Sequence, residues 1–114
     1  MKITKFEEII AWQKAKKMTI EIYRIFRTHK DYGFRDQIQR ASVSIMNNIA
    51  EGFERKGNKE FKNFLFIAKG SCAEVRSMLH LAVDLTYISP TLEKDLVFET
   101  EEIAKLLSGF IKTL

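Results

Sequence analysis

The sequence predicts an all-α fold, an antiparallel up-down-up-down four-helix bundle. Three observations carry that prediction. Four segments repeat their apolar residues at helical spacing, the breaks between them are only roughly three to five residues long, and the single proline sits at a segment boundary. No stretch alternates with the period of two that a half-buried strand requires. Connections this short turn each helix back along its predecessor.

The first helix is expected from about Phe6 to Thr28, on Ala11, Ala15, Met18, Ile22 and Ile25. "KDYGF" interrupts it, with Gly33 supplying the backbone freedom of a turn. The second helix runs from about Phe34 to Arg55 on Phe34, Ile38, Ala41, Ile45, Ile49 and Gly52, and "KGN" ends it. Gly57 or Asn58 is placed to cap the third helix, whose face is Phe61, Leu65, Ala68, Cys72, Val75, Leu79, Ala82 and Thr86. Ser89 as cap, followed by Pro90 in the first helical position, starts the fourth, on Leu92, Leu96, Ile103, Leu106, Phe110 and Leu114.

A chain of 114 residues makes one domain, spanning residues 1–114. Hydrophobic residues at 46% and charged residues at 30% belong to a folded chain, not a disordered one. No apolar run approaches the ~20 residues of a membrane span. Glu7 and Glu8 stand where a signal peptide would carry its hydrophobic stretch, so a cytoplasmic protein without membrane contact is expected. Cys72 is the only cysteine, which excludes an internal disulfide, and its place on a core face makes it a small filler. The net charge of +4 is uneven: residues 1–90 hold 16 Lys and Arg against 10 Asp and Glu, and residues 91–114 hold 3 against 5. A basic surface permits polyanion binding, although solvated helix faces are the plainer reading.

Beside the apolar face of the second helix lies a polar row: Gln37, Arg40, Ser44, Asn48, Glu51 and Arg55. Such a row faces either solvent or a neighbouring helix. If the chain reverses near Gly57, Arg40 comes level with Glu74, Ser44 with Gly70 and Glu51 with Asn63. The expected seam therefore consists of a buried Arg40–Glu74 pair, a close backbone approach at Gly70, and an Asn63–Glu51 bond. Neither His29 nor His80 falls level with this row, which leaves it without a general base. The Glu-x-x-His pairs of a bundle metal site, a phosphate-binding glycine loop, H-E-x-x-H and G-x-S-x-G do not occur. No enzymatic activity, cofactor or metal is expected.

The first helix also carries a second apolar stripe, Ile9, Trp12, Ile20 and Tyr23, with Lys16 and Arg27. The second helix adds Met46, Ala50 and Phe53, and the third Phe66, Ala73 and Leu81. Patches in register argue for self-association into a homo-oligomer, or for a protein partner.

The string "QIQRASVSIMNNIAEGFERKGNKEFKNFLFIAKGSCAE", residues 37 to 74, resembles the signature of the four-helix-bundle family that includes the 23S rRNA intervening-sequence proteins. The accessory protein of diversity-generating retroelements is a related branch. The matching elements are Ser44 to Gly52, Lys59 to Glu74, and Trp12, Ala15, Ile22 and Tyr23 in the first helix. Met46 stands where many relatives carry proline, and Gly57 where a serine would complete a capping box with Glu60. The resemblance implies a cyclic homopentamer around a central channel, with no established enzymatic activity. It also implies a link to RNA that is genomic for most members, and to nucleic acid and a reverse transcriptase in the retroelement branch.

The expected topology gathers Lys2, Lys5, Arg55, Lys56, Lys59, Lys62 and Lys112 at one end. Glu7, Glu8, Glu54 and Glu60 reduce these seven cations to a net +3. Fivefold symmetry would multiply that charge into a rim able to hold RNA or DNA phosphates without reading bases. Lys16, Lys17, Arg24 and Arg27 form a second basic row. The contrasting expectation is a protein–protein adaptor with no nucleic-acid role.

Overall fold

The computed structural model describes residues 2–114. Among them the apolar repeats become four helices: α1 at Ile10–Phe26, α2 at Tyr32–Glu54, α3 at Asn58–Asp84 and α4 at Pro90–Lys112. A 3-10 turn at Phe6–Glu8 precedes α1. No strand occurs among the described residues.

The helix ends follow from local chemistry, and several differ from the expectation. The first helical segment is not continuous through Phe6. Ile9 adopts extended backbone between the 3-10 turn and α1, which swings its side chain into the core at 3% exposure. Asp31 caps α2 by accepting from the Phe34 amide at 3.1 Å, so the helix starts at Tyr32 and Gly33 lies inside its first turn. Gly57 precedes α3 at φ +88°, a conformation L side chains rarely adopt, while Asn58 is the first helical residue and not a cap. α3 ends before Thr86. Thr86 takes a left-handed φ of 62°, with the Tyr87 amide donating to the Ala82 carbonyl at 2.8 Å and the Thr86 amide to Val83 at 3.0 Å. Ser89 accepts from the Leu92 amide at 3.1 Å, with Pro90 opening α4 as expected.

Packing is fixed by which faces are apolar. Met18, Ile22 and Phe26 of α1, Ile38, Ile45 and Ile49 of α2, Leu65, Val75 and Leu79 of α3, and Leu96, Ile103 and Leu107 of α4 are all fully buried in one cluster. α3 is the longest helix, 27 residues, which at about 1.5 Å per residue accounts for most of the 43 Å length. The 22 × 19 Å cross-section fits two helix diameters each way.

Successive helices meet through specific side-chain pairs. Thr19 donates to the Ser42 carbonyl at 3.1 Å, and Phe26 packs on Phe34. Ser44 bonds Ser71 at 2.9 Å, and Gly52 lies against Phe61 and Phe64. Arg76 pairs with Glu101 at 3.8 Å, and Phe61 meets Phe110. At the end opposite Gly57, the Tyr87 hydroxyl donates to Asp31 at 2.6 Å, while the Tyr87 ring packs on His29 and Phe34. That hydroxyl, followed by the Phe34 amide, holds the Asp31 carboxyl below its ordinary range.

α2 and α3 are the most extensively packed pair. Their approach depends on Gly52, because a Cβ there would lie 2.6 Å from Phe64 Cβ and 3.0 Å from Phe61 Cδ1. Gly70, expected to play this part, has open space beside it. Gly52→Ala is therefore expected to destabilise the fold by about 2 kcal/mol, in spite of alanine's better helix propensity. Gly70→Ala serves as the control, and urea denaturation of the two variants measures the difference.

Candidate nucleic-acid interface

The polar row of α2 divides into three parts. Ser44 and Ser71 join α2 to α3 through their hydroxyls at 2.9 Å, and Asn48 donates back to the Ser44 carbonyl and hydroxyl at 2.8 and 3.0 Å. These groups are half-buried or buried. Gln37 donates to Glu74 at 3.4 Å on the exposed surface. Glu51 accepts from Arg55 at 2.7 Å along its own helix, not from Asn63, which is exposed.

Arg40 overturns the expected seam. It is exposed and pairs with no acid among the described residues, while Glu74 accepts from Gln37. Gln37 meets Glu74 and Ser44 meets Ser71, so Arg40 lies near its level residue on α3, but its side chain is exposed and not buried between the helices. Arg40 and Ser44 instead stand where two surface depressions meet. One, of about 450 Å³, is lined also by Gly33, Gln37, Ala41 and Glu74; the other, of about 400 Å³, by Tyr23, Val43, Asn47 and Asn48.

The basic end is assembled around a groove of about 300 Å³. Ile3 before the 3-10 turn, Phe53, Arg55, Gly57, Asn58 and Phe61 from the α2–α3 turn, and Phe110 and Leu114 from the end of α4 line it. Lys2, Lys5, Lys56 and Lys59 are exposed on these segments, and Lys62 is half-buried. Arg55 is not a free cation, because it pairs with Glu51 and, at 3.9 Å, with Glu60, and its guanidinium lies 5.0 Å from the Phe64 ring. Lys112 is set off from the groove and lines a flank depression with Arg76, Glu101 and Lys105. α3 begins at this end with no side-chain cap, leaving its first amides open to an anion.

The outer stripe of α1 is shorter than expected. Ile9 is buried, and Trp12 is half-buried with its ring 5.3 Å from Phe6 and Lys16 above it at 5.5 Å. Ile20 and Tyr23 remain exposed, each at 42%. More apolar residues are exposed on α3 and its C-cap, where Phe66 and Ile67 are separated from Leu81 and Leu85 by exposed Gly70, Ala73, Glu74 and Ser77.

Elsewhere the polar groups support the fold. Burial pushes the Cys72 thiol up to about 12, so it stays protonated at neutral pH. His80 contacts Glu93 at 2.7 Å. Among the described residues no three His, Cys, Asp or Glu side chains cluster as a metal site would require. No helix of the described residues is long and apolar enough to cross a membrane. Between α1 and α4, the most sparsely packed of the contacting α-helix pairs, burial and the neighbouring Glu21 carboxylate raise Glu99 from 4.5 to about 7.

Residues 7–109 match the family described as 23S rRNA-intervening sequence protein. The chain belongs to this family. A crystal structure from Bacteroides thetaiotaomicron VPI-5482, of a protein with unknown function from the S23 ribosomal protein family, is similar to it with a TM-score of 0.84 and 25% identity. The match covers 90% of this chain and 96% of that one. None of the curated proteins matches the chain.

In this member of the 23S rRNA-intervening sequence family, the segment from Ser44 to Gly52 packs on α3, through the Ser44 hydroxyl at one end and the bare Gly52 Cα at the other. Met46 leaves α2 continuous, where a proline would remove a backbone bond. Sequence reasoning missed Asp31, although an aspartate three residues before a core phenylalanine is a start signal, and it missed the Tyr23–Arg40 depression, which joins two helices.

Two outcomes follow. Arg40→Ala should change stability by less than about 0.5 kcal/mol in urea denaturation, as befits an exposed, unpaired side chain. Glu99 retains a proton in the folded state, between about pH 4.5 and pH 7, that the unfolded chain releases, so stability falls as pH rises through that window. The melting temperature should drop from about pH 5 to about pH 7.5, and Glu99→Gln should flatten that drop.

Proposed function

We propose that this protein is a non-enzymatic, antiparallel up-down-up-down four-helix bundle that self-assembles into a cyclic homo-oligomer, a pentamer as the family resemblance implies, and binds RNA or DNA through the basic end. The observation that carries the reading is the convergence at one groove of the N-terminal segment, the α2–α3 turn and the end of α4, with exposed lysines around an uncapped helix N-terminus. Backbone amides and mobile ammonium groups hold phosphates without reading sequence. The reversed order of the cross-helix pairs supports the antiparallel topology. The exposed apolar face of α3 supports self-association, and a ring would repeat the basic end around its axis.

The non-enzymatic part rests on how the reactive groups are engaged. The Ser44 hydroxyl is tied to Ser71 and Asn48, the Cys72 thiol is protonated and buried, and His80 is held by Glu93. The same α3 face favours a second reading, a protein–protein adaptor, because an apolar stripe accepts a foreign helix as readily as a second copy.

Binding to a mixed-sequence RNA at two salt concentrations separates the readings. Counterion release predicts a steep loss of affinity with salt, and replacing Lys56 and Lys59 together with alanine should lower the slope by about 1.5. No binding at low salt favours the adaptor. Sedimentation mass tests the assembly, and a monomer would remove the repeated rim.

A further inference from the structure

We infer that the face shared by α1 and α2 around Tyr23 and Arg40 is a second, distinct nucleic-acid subsite that takes one dinucleotide step of a single strand, with the phosphate on Arg40. This deepens the nucleic-acid reading and rests on it, but it uses none of the residues of the basic end.

Three side chains at this face have free hydrogen-bonding ends. Arg40, Asn47 and the Tyr23 hydroxyl are exposed and make no side-chain bond among the described residues, whereas Asn48, Ser44 and Gln37 beside them are already engaged. Arg40 stands where the two depressions of about 450 and 400 Å³ meet. A phosphodiester held by the guanidinium fork would therefore direct one flanking nucleoside into each. Both volumes fall within the ~300–1,000 Å³ range of small-molecule sites.

The two depressions differ in chemistry. The one beside α1 offers the Tyr23 ring, 42% exposed, together with Val43 and the Asn47 amide, a surface for stacking a base and meeting its edge. The other is lined by Glu74, whose Oε2 accepts from Gln37 and whose Oε1 makes no bond among the described residues, so it favours a base with an exocyclic amino group. Lys16 and Arg27 fall on the same stripe of α1 as Tyr23, at spacings of seven and four, and add positive potential without an acid on that stripe. A rigid duplex keeps its bases stacked and cannot place them in either depression, so the site selects single strands.

The test uses the full chain with a twelve-nucleotide mixed-sequence RNA, as single strand and as duplex, read by fluorescence anisotropy. Tyr23→Leu should weaken single-strand binding about tenfold, leave duplex binding within about twofold, and leave the salt slope unchanged. Arg40→Gln should weaken single-strand binding and reduce its salt slope by about 0.7, one phosphate contact. Arg40 is exposed, so this variant remains informative if Tyr23→Leu fails to fold. Single-strand binding within twofold of wild type for Arg40→Gln, while the Lys56 and Lys59 variant loses affinity, overturns the subsite and leaves the basic end standing. A changed sedimentation mass with unchanged RNA affinity reassigns the face to contact between copies and also overturns the subsite. Wild-type protein that binds neither RNA at low salt overturns both readings together.

Discussion

The fold depends on how closely α2 can approach α3, and that distance is set at one position. Gly52 presents a bare Cα to Phe64, where a methyl group would stand 2.6 Å from the neighbouring Cβ. Close packing leaves no room for such an atom, so either the helices separate or Phe64 moves. From this contact the register propagates. Ser44, two turns earlier, comes within 2.9 Å of Ser71, and Phe61 is held where Phe53 and Phe110 meet its ring. The basic end inherits its geometry from the same contact, because α2 ends two residues after Gly52, at Glu54, where the α2–α3 turn begins.

The polar row beside this contact is therefore graded and not uniform. Near the interface its members satisfy one another across or along the helices. Farther out they meet water, as Arg40 does. A buried ion pair must recover the hydration both charges lose, and it often recovers no more than an apolar pair would contribute. Two hydroxyls meet that requirement at lower desolvation cost, since each can donate or accept. Ser44 and Ser71 thus fix register without a buried charge, and the cation of Arg40 is left outside.

Elements whose cause is local were legible in the sequence. The apolar faces, the Ser89–Pro90 start and the role of Cys72 all follow from a residue and its neighbours within two turns. Ile9 was misplaced because projecting a single helix cannot show that the backbone is extended at one residue. The Arg40 pairing failed for a different reason, since whether a side chain turns toward its level residue or out to solvent depends on how two helices pack, which no single helix encodes. Gly70 and Gly52 were both visible as glycines, but only the packed pair shows which of them another residue touches. At the basic end, the gathering of segments was readable from the topology. The loss of Arg55 to Glu51 and Glu60 was not, because rotamers decide it.

What the fold consumes and what it leaves free separate cleanly on α2. Among the described residues no buried side-chain nitrogen or oxygen lacks a partner, so the interior makes no demand on the polar groups outside it. Glu51 and Arg55 satisfy each other, as do Ser44 and Asn48. Arg40, Asn47 and Tyr23 take no part in that accounting, although they lie only one turn from residues that do. An exposed side chain that stabilises nothing costs little to change, whereas a cation, an amide and an aromatic ring kept together at the meeting of two depressions supply complementary contacts to one ligand. The α2–α3 contact gives Arg40 and Asn47 a fixed platform and the Thr19–Ser42 bond holds α1 with Tyr23 beside them, which lowers the ordering entropy a ligand must overcome on binding.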